Sequence, residues 1–70
     1  MLKNLDKVRR EKNVSLVDIA DLLKVRTATV SEKINGKYDF KFNEAVMIKN
    51  KFFPEYELEF LFELEPTHNK

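Results

Sequence analysis

Residues 15–36, SLVDIADLLKVRTATVSEKING, read as two short helices with a tight turn between them. Leu16, Ile19, Ala20 and Leu23 recur at steps of three and four, the spacing that lines one face of a helix. Ala20 is the small member of that stripe. A small side chain in mid-helix lets a second helix cross closely, and Val25, Val30 and Ile34 supply a facing apolar ridge. Ser15 is followed three residues later by Asp18, so each side chain can satisfy the other's backbone N–H and open the first helix. Lys24, Val25 and Arg26 leave room only for a turn, and Asn35 and Gly36 tolerate the positive φ with which the second helix has to end.

Upstream, Leu2, Leu5 and Val8 predict an amphipathic helix over residues 2–12, with Asn13 as its positive-φ stop. Downstream, residues 37–41 read as a loop, and Asn43 is placed to cap a fourth helix that carries Glu44 in its first turn. Phe42 before that cap and Met47 after it are spaced for a hydrophobic staple. Ala45, Ile48 and Phe52 continue a buried stripe until Pro54, which restricts Phe53 to an extended backbone. Residues 54–66 admit two readings. As a strand, Tyr56, Leu58, Phe60, Phe62 and Leu64 oppose Glu55, Glu57, Glu59, Glu63 and Glu65, an alternation that Leu61 breaks. As a helix, Leu58, Leu61, Phe62 and Glu65 share a face.

Seventy residues, 43% of them hydrophobic, close one core, so residues 1–70 are expected to form a single domain. Charged residues make up 36%, Gly and Pro are few, and no low-complexity stretch interrupts the pattern. The absence of Cys excludes a disulfide framework and thiolate metal sites, and a lone His68 cannot build a zinc centre. No metal or cofactor is expected. No nucleophile and base are spaced to work together, so the chain is not expected to be an enzyme. No apolar run approaches the ~20 residues that span a bilayer, and MLKNLDKVRR lacks the hydrophobic stretch of a signal peptide, which predicts a soluble, intracellular protein without a membrane partner. The net charge of +1 conceals an asymmetry: residues 1–51 hold 12 Lys or Arg against 7 Asp or Glu, and residues 52–70 hold 1 against 5. A basic body and an acidic end suit a DNA-facing and a partner-facing surface in different parts of the chain.

Leu5, Val8, Ser15, the Ile19-Ala20 pair, Val25, the run Thr29, Val30, Ser31 and the ending Asn35, Gly36, Lys37 together resemble the helix-turn-helix of lambdoid phage repressors, Cro proteins and bacterial Xre-type regulators. The likeness covers nearly the whole chain, with the motif at about residues 16–35. It departs from the family at Lys24, where Gly is usual in the turn, at Arg26, where Ser or Thr usually caps, at Leu16, where Gln commonly contacts phosphate, and at Lys33, where an apolar residue is common. The resemblance implies an all-α bundle of about five short helices. It favours the helical reading of residues 54–66, because the family commonly closes with a short fifth helix of apolar-acidic pattern.

The resemblance also implies a function: a cytoplasmic transcriptional regulator of a phage or prophage genetic switch in a bacterial host. Its partner would be double-stranded operator DNA, with no small-molecule ligand. Carried over by position, Thr27, Ala28 and Glu32 match base-reading residues, Arg26 lies at the helix start, and Thr29 and Lys37 are placed for phosphates; Ser31 shares the unpacked face with Thr27, Ala28 and Glu32, and Arg26 and Lys33 flank that face. Ala28 and the Thr27 methyl suit a thymine methyl, Glu32 can accept from cytosine N4, and Arg26 can grip guanine. A carboxylate among phosphates is repelled, so Glu32 sustains a second reading. In temperate phages, short proteins resembling these regulators act as antirepressors by binding the repressor itself, and an acidic residue suits a basic protein surface. Tyr56, Leu58, Phe60, Leu61 and Phe62 are the candidate interface for a homodimer or a complex with such a repressor, their alternative role being to complete the core.

Overall fold

The computed structural model describes residues 1–64, which form five helices and, among those residues, no strand: α1 Lys3–Glu11, α2 Leu16–Leu23, α3 Thr27–Asn35, α4 Phe42–Phe52 and α5 Leu58–Leu61. The all-α expectation holds. Glu65 and Pro66, which close the expected C-terminal segment, and the isolated His68 lie outside the described residues.

Local chemistry sets most of the boundaries. Asn13 takes φ 60° and stops the chain just beyond α1. Ser15 Oγ accepts the Asp18 N–H at 3.0 Å while the Asp18 carboxylate accepts the Ser15 N–H at 2.9 Å, so the reciprocal cap opens α2 as the sequence predicts. At the other end, Lys24 adopts the left-handed conformation (φ 60°, ψ 45°), and the N–H groups of Lys24 and Val25 both return to the Ala20 carbonyl. α3 closes on a Schellman pair: the Gly36 N–H donates to the Lys33 carbonyl at 3.2 Å and the Lys37 N–H to the Glu32 carbonyl at 2.9 Å. Gly36 sits at φ 93°, and a Cβ there would lie 3.3 Å from the Met1 backbone nitrogen. Glycine is therefore favoured on both counts. Lys24 holds a similar backbone without being glycine, and Lys24→Gly is expected to raise the unfolding free energy by about 1 kcal/mol, read from the urea midpoint.

α4 departs from expectation at its start. Its N-cap is Lys41, not Asn43, and Phe42 is the first helical residue. The Glu44 carboxylate, three residues beyond Lys41, accepts the Lys41 N–H at 2.9 Å, so the capping bond comes from inside the helix and needs no short polar residue at the cap. Phe42 is consequently 75% exposed and Met47 is exposed too; the expected staple does not form. At the other end α4 stops at Phe52, and Phe53, at φ −136° and ψ 51°, is not extended as Pro54 led one to expect. Phe53 is fully buried and Phe52 only half-buried, so the stripe's last core residue is the second phenylalanine.

Each helix contributes to one core: Leu5 from α1, Ile19 from α2, Val30 from α3, Ile48 from α4 and Leu61 from α5 are fully buried, together with Phe53. α2 packs on α3, with Ala20 buried, and on α4; α5 packs on α1 and α4. The strand reading of the C-terminal segment fails at Leu61. That residue lies off the alternating face and is the one the core takes.

Candidate nucleic-acid interface

Val30 and Ile34, buried against the core, fix which side of α3 faces out. Arg26, Thr27 and Ala28 are exposed at its start. Arg26 is the extended N-cap residue, and no side chain caps the helix there, in keeping with the absence of Ser or Thr. Ala28 and Glu32 are four apart and so lie one above the other on the outward face. Glu32 and Thr29 are half-buried. The Glu32 carboxylate stands 3.8 Å from Lys37 Nζ, which is 5.6 Å from the centre of the Tyr38 ring. Lys37 remains exposed, and a pair this open contributes little to stability.

Two residues expected on this surface are turned elsewhere. Ser31 is half-buried and lines a small hollow with Asp6, Arg9 and Arg10 of α1. Lys33 is committed to Glu44 at 2.8 Å, with side-chain exposures of only 12% and 15%, and its ammonium lies 5.7 Å from the Phe40 ring centre. Lys33 is thus a tie between the end of α3 and the start of α4, not a group facing DNA. Burial opposes ionisation of Glu44, but hydrogen bonds from Lys33 and the Lys41 N–H, with the charges of both lysines, outweigh it and hold the carboxyl below its ordinary value of 4.5. The folded pKa is the lower one, so this stabilisation is complete above the unfolded carboxylate's value and fades as pH falls through the folded one. Glu44→Ala is expected to lower stability by about 2 kcal/mol at neutral pH and to flatten part of the loss on acidification, as followed by urea unfolding across pH.

The sequence reading missed Lys24 and Lys41. Both are exposed, so Lys24 and Arg26 precede α3 while Lys37 and Lys41 follow it, a basic pair at either end. Elsewhere the charge asymmetry is partly consumed within the molecule. Asp6 binds Arg9 at 2.9 Å and Arg10 at 3.1 Å, and Lys12 pairs with Glu55 and lies 5.8 Å from the Tyr56 ring centre. The acidic end is therefore docked in part on the basic first helix.

The chain matches no family model, no curated protein and no solved structure. Among the described residues, no helix is long and apolar enough to cross a membrane, and no group of three His, Cys, Asp or Glu is placed to hold a metal ion.

The expected interface residues separate in the same way. Leu61 is fully buried and offers no surface, which corrects its assignment. Tyr56, Leu58 and Phe62 are half-buried, Phe62 meeting Phe40 edge-on at 5.5 Å. Phe60 is exposed, stacked on Tyr56 at 5.8 Å, and its carbonyl accepts the Asn4 Nδ2–H at 2.9 Å.

Proposed function

We propose that this chain is a DNA-binding transcriptional regulator of a phage or prophage genetic switch, acting in the bacterial cytoplasm, with α2 and α3 as a helix-turn-helix that lays the start of α3 in the major groove of its operator. The observation that carries this reading is the exposure of Arg26, Thr27 and Ala28 at the start of a helix whose opposite ridge is buried, with basic residues at both of its ends. Thr27 and Ala28 offer apolar contact to thymine methyls, Arg26 a bidentate contact to guanine, and Lys24, Lys37 and Lys41 contacts to phosphate.

The test is a binding titration on the neighbouring intergenic DNA at rising salt. Three phosphate contacts give a log-log slope of about −3, and Lys37→Ala is expected to reduce it by about 1. Arg26→Ser separates folding from binding, since a hydroxyl at the uncapped start of α3 raises stability by about 1 kcal/mol. The same change removes a base contact worth about 1–3 kcal/mol. Binding that is indifferent to salt and to Arg26 overturns the proposal.

A second reading rests on Glu32, whose carboxylate lies on the same outward face of α3. It suits a basic protein surface, which makes the chain an antirepressor that binds a phage repressor and has little DNA affinity of its own.

A further inference from the structure

A groove of about 660 Å³ runs between the 37–41 loop, the first turn of α4 and α5. Phe40, Ala45, Leu58 and Phe62 are among its walls, and Phe42 and Leu64, both well exposed, stand in its lining. The volume lies within the roughly 300–1,000 Å³ of ligand-holding clefts, and exposed apolar lining of this kind marks an interaction site. None of Arg26, Thr27 and Ala28 borders it.

Its charges identify the occupant. The charged lining residues are Lys33, Asp39 and Glu59. Lys33 is neutralised by Glu44 at 2.8 Å, whereas Asp39 and Glu59 have no hydrogen-bond or ion-pair partner among the described residues. An apolar trough beside two carboxylates that have no partner among the described residues complements a helix that carries Leu or Phe at helical spacing and Lys or Arg along its flanks. A second copy of this chain is a poor fit. A two-fold contact through the groove brings Asp39, Glu59 and exposed Glu63 of each copy toward the same groups on the other. Like charges facing one another oppose association.

We propose that this groove docks a basic amphipathic helix of another protein. The probe is a labelled synthetic peptide of about 15 residues, Leu on one helical face and Lys on the other, beside a control with Glu in place of Lys. With the full chain, the Lys peptide is expected to bind saturably and at least ~tenfold more tightly than the control. Amide shifts in ¹⁵N spectra should centre on Gly36, Asp39, Ala45 and Glu59. Phe42→Ser, at a residue too exposed to disturb the fold, and the pair Asp39→Lys with Glu59→Lys should each weaken binding by ~fivefold or more, with circular dichroism unchanged.

Equal binding of both peptides, shifts centred elsewhere, or indifference to these variants overturns the proposal. So does a dimer in sedimentation that Phe42→Ser dissociates, which would give the groove to a second copy. Nuclear Overhauser contacts from Pro66 or Thr67 to Phe42 in the free chain would give it to the chain's own end and overturn the proposal as well. Loss of DNA binding alone touches only the α3 reading, because the peptide titration contains no DNA.

Discussion

Leu61→Ala is expected to remove about 3 kcal/mol of unfolding free energy, the transfer and cavity cost of truncating a fully buried leucine. A chain of this size holds roughly 4–10 kcal/mol in total, so the variant should lose about a third to three quarters of its stability. Phe60→Ala, one residue away but exposed, is expected to stay within about 1 kcal/mol of the parent. The contrast matters because the aromatic, acidic segment had two possible roles, core or interface. Its attachment argues for the first: Asn4 donates to the Phe60 carbonyl, Lys12 pairs with Glu55, and α5 packs on both α1 and α4. Deleting residues 55–70 should therefore collapse the helical signal rather than merely release an oligomer. A Leu61→Ala variant within about 1 kcal/mol of the parent would mean that α5 is not docked in solution, and the whole segment would return to the interface.

What could be read from the sequence is what closes within a few residues. The Ser15 and Asp18 cap, the stop at Asn13 and the glycine-terminated end of α3 each depend on hydrogen bonds spanning five residues or fewer, and each lies where the residues place it. Asn43 failed as a cap for a local reason too: Glu44 reaches back to Lys41 and moves the start of α4 two residues upstream. Pro54 announced the end of that helix but could not say which of two adjacent phenylalanines turns inward, since that depends on what the rest of the core leaves open.

Long-range pairs were invisible. Lys33 reads as a surface lysine until Glu44, eleven residues on, is brought beside it, and the acidic end reads as free until Glu55 meets Lys12. At the candidate site, the exposure of Arg26, Thr27 and Ala28 was legible because the apolar spacing turns Val30 and Ile34 inward. The flanks of the helix were not, because α1 and α4 supply neighbours for Ser31 and Lys33 that spacing alone does not reveal.

Glu32→Lys separates the two proposed functions, since the charge at this outward position suits them oppositely. In the wild-type chain the carboxylate stands 3.8 Å from Lys37, so reversing it both adds a cation and frees Lys37 from its partner. The pair is open to solvent, and the effect on folding should stay within about 1 kcal/mol. If the start of α3 lies in a major groove, non-specific DNA affinity should rise by roughly tenfold, the salt slope should steepen by about 1 to 2, and the preference for a base pair read through Glu32 should be lost. If Glu32 instead meets a basic repressor surface, the reversal sets like charges together across an interface and should cost about several kcal/mol, enough to abolish the complex. Glu32→Gln, which removes the charge without reversing it, should fall between parent and reversal in whichever assay responds. Gel shift and repressor capture on the same preparations therefore assign the surface: a gain in the first supports the regulator, a loss in the second the antirepressor. If neither assay changes, this face of α3 touches neither partner, and its recognition role has to be withdrawn.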